Sequence, residues 1–88
     1  MHRYFETMNL RLLFFSVLRD ITGCSECPWT CAPGAHVSDL LSSLYERWPK
    51  LREWDSALLI ALDQTYVKRD APLTESAEVA IMPPVQGG

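Results

Sequence analysis

Val37-Ser38-Asp39-Leu40-Leu41-Ser42-Ser43-Leu44-Tyr45-Glu46-Arg47-Trp48-Pro49 is the stretch on which the fold turns. Val37, Leu40, Leu41, Leu44 and Trp48 recur at i, i+3, i+4, i+7 and i+11, a single apolar stripe along a helix. Asp39, Ser42, Ser43, Glu46 and Arg47 take the opposite side. Asp39 in the first turn and Arg47 in the last both complement the helix dipole. Pro49 ends the helix because it disfavours helical geometry at Trp48. A helix with one apolar stripe must bury it against a second layer, and the segments on both sides read as strands.

Upstream, the run from Met8 to Phe15 alternates, with Leu10, Leu12 and Phe14 on one face and Arg11, Leu13 and Phe15 on the other. Both faces turn apolar toward its end, which predicts a central strand rather than an edge. Ser16 to Thr22 reads as a turn of helix closing at Gly23. A weaker strand follows over Pro28 to Ala32, with Trp29 and Cys31 pointing one way, and Pro33-Gly34 forces a turn. Downstream of the helix, a polar connection holds Leu51 and Trp54. Leu58 to Leu62 reads as a buried strand, and Asp63-Gln64 as a turn into a short strand at Tyr66-Val67. Pro72 to Ser76 is a loop, and Glu78 to Met82 is the last strand, with Val79 and Ile81 inward. Pro83 and Pro84 stop it, since neither can donate to a sheet ladder. The predicted fold is a two-layer α+β domain, with about five strands in a mixed sheet packed on one main helix.

Eighty-eight residues make one domain. A chain of this size buries only about 60–65% of its unfolded surface, so a deep internal substrate pocket is not expected. The net charge of -3 argues against nucleic acid, which demands a positive footprint. Lys50/Arg52 and Lys68/Arg69 are short basic pairs flanked by acids. No apolar run approaches the roughly 20 residues a membrane-spanning helix needs. Residues 1–7 lack the apolar region of a secretory signal and read as a variable N-terminal extension, ahead of a domain over 8–82 and a protruding tail over 83–88. Three cysteines, Cys24, Cys27 and Cys31, cannot all pair within one chain, so a secreted disulfide framework is not expected. C-x-x-C-x-x-x-C falls short of the four ligands of a usual zinc or iron–sulfur site. No metal is assigned to these cysteines; they read as strand and loop residues in a reducing cytoplasm.

The tail Met82-Pro83-Pro84-Val85-Gln86-Gly87-Gly88 carries the functional signal. A terminal Gly-Gly arises by chance in about one chain in two hundred. Here the last strand runs almost directly into it, and the two prolines stiffen the exit. A carboxylate is a poor electrophile until it is activated, typically as an acyl-adenylate. Activation on another protein requires the tail to thread a narrow pocket, where glycine permits close backbone approach and unusual dihedrals. No nucleophile–base–orienter set accompanies the tail: His2 and His36 are the only histidines and belong to no motif. No glycine-rich phosphate loop is present either, so ATP has to be held by a partner.

Leu13-Phe14-Phe15 followed by Arg19-Asp20, Asp63-Gln64-Thr65, Pro72-Leu73-Thr74, Glu78-Val79-Ala80 and above all Pro83-Pro84-Val85-Gln86-Gly87-Gly88 resemble the molybdopterin synthase small subunits. These are sulfur carriers of the ubiquitin-like β-grasp fold, and the resemblance covers Met8 to Gly88. It implies that an adenylating enzyme related to ubiquitin-activating enzymes charges Gly88 with ATP and that a sulfur donor protein converts it to a thiocarboxylate. It implies further that the tail docks into the large synthase subunit, in a heterotetramer, where sulfur builds the dithiolene of molybdopterin. Gly88 and Gly87 would carry the chemistry, and Phe15, Arg19, Tyr66, Met82, Pro83, Pro84, Val85 and Gln86 would face partners. No cofactor would be bound by this chain, and no nucleic acid or membrane would be a partner. The family often has Asn where Asp63 stands, and a Thr or Ser helix cap where His36 stands. Carriers for thiamine synthesis or tRNA thiolation, protein-conjugating modifiers and plain interaction modules are the rival readings.

Overall fold

The computed structural model describes residues 7–84. In chain order it holds strand β1 (Met8–Phe14), helix α1 (Val17–Thr22), strand β2 (Glu26–Cys31), helix α2 (Val37–Arg47), a 3₁₀ segment (Pro49–Ala57), and strands β3 (Leu59–Leu62), β4 (Thr65–Val67) and β5 (Ala77–Met82). The strands form one mixed sheet in the order β2-β1-β5-β3-β4, in which only β1 and β5 run parallel. The β1 segment is flanked on both sides, as its apolar faces predict.

One face of the sheet packs on α2. Leu10, Leu12 and Phe14 of β1, Val79 and Ile81 of β5 and Ile60 of β3 meet Val37, Leu40, Leu41 and Leu44 of the helix stripe, all buried. Trp48 closes the end of this core, edge-on to Phe14 and tilted against Trp29, with ring centroids 5.6 Å apart in both pairs. The Arg47 guanidinium lies 4.9 Å above the Trp48 ring.

The N-terminus of α2 explains why His36 is tolerated. A helix start leaves backbone donors without intrahelical partners. Here the N–H groups of Val37 and Ser38 donate to the carbonyls of Ala71 and Arg69, at 3.0 and 2.9 Å. The His36 N–H donates to Asp39 Oδ2 at 2.8 Å. Backbone carbonyls of the loop after β4 thus do the work that a Thr or Ser side chain does elsewhere.

That loop is tied down in turn. Arg69 Nη1 donates to Asp55 Oδ1 at 2.7 Å, its Nη2 reaches the Asp55 carbonyl, and the Tyr45 hydroxyl donates to the same carboxylate. Hydrogen bonds from Arg69 and then Tyr45 hold the Asp55 carboxyl below its ordinary value. Burial and then the bond to Asp55 push the Tyr45 hydroxyl up to about 12.

Boundaries differ from expectation where non-local pairing overrides local cues. Strand β2 starts at Glu26, two residues before Pro28. A proline fits inside it because β2 is an edge strand, where a missing N–H costs no ladder bond. The connection holding Leu51 and Trp54 is a 3₁₀ segment, with Leu51 fully buried beneath it. Strand β1 stops at Phe14, one residue short of the expected end. Ser16 then adopts φ 58°, ψ -132°, the first central position of a type II′ turn, and the Leu18 N–H donates to the Phe15 carbonyl at 3.1 Å.

Candidate functional site

The side chains of a strand alternate between two faces, so the register assigns the face that does not meet α2. Phe14 pairs with Ile81 on the buried side, which sets Phe15 beside Met82, and Met82 pairs with Leu59. The next row across the same face is Leu13, Ala80, Ala61 and Tyr66. Among the described residues, Phe15 at 44% and Tyr66 at 68% are the large apolar side chains most open to solvent. Ala61 and Ala80 floor the space between them, which keeps this part of the face low and flat.

Polarity changes along the strands. At the end where β1 and β5 begin, the same face carries Arg11, bonded to Glu78 at 2.7 Å and 3.5 Å from Glu26. Asn9 donates from its N–H and its side chain to Glu75, at 3.0 and 3.1 Å. At the end where both strands finish, the row is Phe15, Met82 and Leu59. Because β1 and β5 are parallel, their C-terminal ends share one edge of the sheet. The apolar end of the face is therefore also the place where the chain leaves β5 through Met82, Pro83 and Pro84, all half-buried.

The expected partner-facing residues fall as follows. Phe15, Tyr66 and Met82 come together on this face. Arg19 is exposed on α1, which departs from the same edge of the sheet. Pro83 and Pro84 mark the exit, while Val85, Gln86, Gly87 and Gly88 lie outside the described residues. Leu13, Leu59, Ala61 and Ala80 also belong to the face. Alternation along β1 puts Leu13 on it with Phe15, though not as a partner-facing residue, and the other three join through strand pairings that no local pattern reveals.

Asp63 keeps what the turn before β4 needs. Its φ of 47° and that of Gln64, 72°, make a two-residue hairpin turn of the primed kind. Asp63 Oδ1 accepts the Glu78 N–H at 3.0 Å, while its own N–H donates to the Glu78 carbonyl at 2.9 Å. Asn offers the same acceptor and the same tolerance of positive φ, so Asp is a like-for-like replacement. Among the described residues, no group of three or more His, Cys, Asp or Glu side chains is placed to hold a metal, and no helix is long and apolar enough to cross a membrane.

Residues 12–88 match the ThiS family. The chain belongs to the ThiS family. Relatives from five organisms carry the name molybdopterin synthase sulfur carrier subunit, among them the following two. That of Chlamydomonas reinhardtii is 34% identical over 83 residues, covering 92% of this chain and 100% of the relative. That of Escherichia coli K12 is 37% identical over 82 residues, covering 90% and 99%. Among solved structures, a putative molybdopterin converting factor subunit 1 from Pyrococcus furiosus superposes with a TM-score of 0.81 at 27% identity, covering 89% of this chain and 99% of that one. The small archaeal modifier protein 1 of Methanosarcina acetivorans gives 0.77 at 25% identity, covering 94% and 99%. The ubiquitin-like β-grasp architecture is common to this ThiS family chain and those neighbours.

Proposed function

We propose that this chain is the sulfur carrier subunit of a molybdopterin synthase, working through the carboxylate of Gly88. The observation that carries the reading is the apolar end of the open sheet face at the edge where β5 runs out toward the tail. A partner seated on Phe15, Met82, Leu59 and Tyr66 lies directly beside the root of that tail. The names of its ThiS family relatives supply the pathway.

In the proposed cycle the Gly88 carboxylate attacks the α-phosphorus of ATP held by an adenylating partner, and pyrophosphate leaves. The terminal sulfur of a persulfide on a donor protein then displaces AMP from the acyl carbon, and a thiol cleaves the resulting acyl disulfide, freeing the thiocarboxylate and leaving a disulfide on the donor. Docked in the large subunit, the tail gives up its sulfur to the pyranopterin precursor, and water restores the carboxylate. This chain contributes the reactive end and the docking face. Gly87 and Gly88 present no side chain to hinder entry of the tail.

The likeness to a small archaeal modifier protein favours one second reading, in which the activated Gly88 acylates a lysine amine instead. Incubating thiocarboxylated chain with the large subunit and the pyranopterin precursor separates the two. The carrier reading predicts molybdopterin, produced in proportion to thiocarboxylate consumed. Lysine-linked conjugates of higher mass with no molybdopterin would establish the modifier reading in its place.

A further inference from the structure

Strand β2 is the longer of the two edges of the sheet, with six residues against the three of β4. A short edge offers an incoming strand little to pair with, so β2 is the edge that needs protection. In an antiparallel ladder, residues alternate between those whose N–H and C=O both bond to the neighbour and those whose groups point away. The Phe14 N–H donates to the Ser25 carbonyl at 2.9 Å, which makes Phe14 and Ser25 a bonded pair. Every second pair in the same register is then bonded as well: Leu12 with Cys27, Leu10 with Trp29 and Met8 with Cys31. Glu26, Pro28 and Thr30 fall between these pairs. Their backbone groups face away from β1, and all three residues are exposed.

A second copy of the chain laid antiparallel on this edge has much in its favour. In the symmetric register centred on Pro28, Glu26 stands opposite Thr30 of the second copy, so no like charges meet. On the side of the sheet that packs on α2, half-buried Cys27 stands opposite half-buried Trp29 of the second copy, apolar against apolar. Proline spoils this pairing. It has no N–H to give to the facing carbonyl, and its ring fills the space where the donor would lie. Moving the centre to Cys27 or Trp29 sets Pro28 opposite Glu26 or Thr30, and each copy still lacks that donor.

We propose that Pro28 keeps the β2 edge closed, and that an N–H returned at position 28 lets two copies of the chain join antiparallel through β2. The pairing gains one hydrogen bond from each copy. At the usual net worth of a hydrogen bond, the two together tighten self-association by about 5- to 150-fold.

The test compares the native chain with Pro28→Thr and Pro28→Ala by sedimentation equilibrium and amide hydrogen exchange. Because the new N–H faces away from β1, both variants should fold and melt close to the native chain. Both should dimerise more tightly than the native chain, by a factor in that range. The Glu26 and Thr30 N–H groups should exchange freely in the native chain and become protected as the variants dimerise. Folded variants that self-associate no more than the native chain would overturn the proposal. So would dimers in which those two groups still exchange freely, native chain in which they are already protected, or loss of the fold in both variants, which would contradict the outward placement of position 28.

Discussion

Phe14 and Phe15 are neighbours in sequence with opposite roles, and truncating each in turn tests the register argument. Phe14 is 1% exposed in the core, while Phe15 leaves 44% of its surface open beside Met82. An aromatic side chain presents about 200 Å² when free, so a partner covering Phe15 removes about 90 Å² from water. At roughly 25 cal/mol per Å² this is about 2 kcal/mol, or about 30-fold in Kd, an upper bound because ordering costs are left out. Phe15→Ala should weaken binding to the large synthase subunit by up to that factor and change folding stability by less than about 1 kcal/mol. Phe14→Ala should cost about 3–5 kcal/mol of stability through the cavity it leaves. Denaturant unfolding of both variants, with titration calorimetry against the large subunit, reads the two effects separately. The register argument is refuted if Phe15→Ala destabilises the fold as much as Phe14→Ala, or leaves affinity for the large subunit unchanged.

Three further outcomes are expected. Ser16→Gly should raise stability by about 1 kcal/mol, because strain at a positive φ is relieved by more than glycine loses in chain entropy; a lower melting temperature would contradict the turn assignment. Asp55→Asn should cost about 1 kcal/mol near neutral pH, in line with a partly exposed charged network. Since the folded Asp55 carboxyl is held below its ordinary value, its contribution is present above the unfolded pKa and lost as pH falls through the folded one. Unfolding curves of wild type and Asp55→Asn should therefore converge in acid, and a gap that persists there would sink the assignment. Asp63→Asn should be nearly neutral, whereas Asp63→Ala, which leaves the Glu78 N–H without its 3.0 Å acceptor, should lower stability by about 1 kcal/mol in the same assay.

Much of the fold was legible because its signals are local. The stripe from Val37 to Trp48, the alternation of Leu10, Leu12 and Phe14, and the prolines at 49, 83 and 84 all act within one element. Gly23 closes α1 and Asp63-Gln64 makes the turn into β4, as the sequence indicates. What could not be read depends on contacts between distant segments. The start of β2 is set by pairing with β1, and the 3₁₀ segment is held by burial of Leu51 and by the Asp55–Arg69 bonds. The candidate site divides in the same way. Phe15, Tyr66 and Met82 could be named, but the face that unites them with Leu13 and Leu59 exists only once β1 and β5 run parallel. The alternative to a His36 side-chain cap was equally hidden, because its acceptors belong to Arg69 and Ala71, more than thirty residues away.

The most direct test is an intact mass of the chain after incubation with ATP, an activating enzyme of this family and a sulfur source. Replacement of a single oxygen by sulfur, mapped to Gly88 and abolished when Gly87 and Gly88 are deleted, is the predicted result. An unchanged mass with an enzyme that charges an authentic carrier in parallel, or sulfur found on a cysteine instead, would contradict the account.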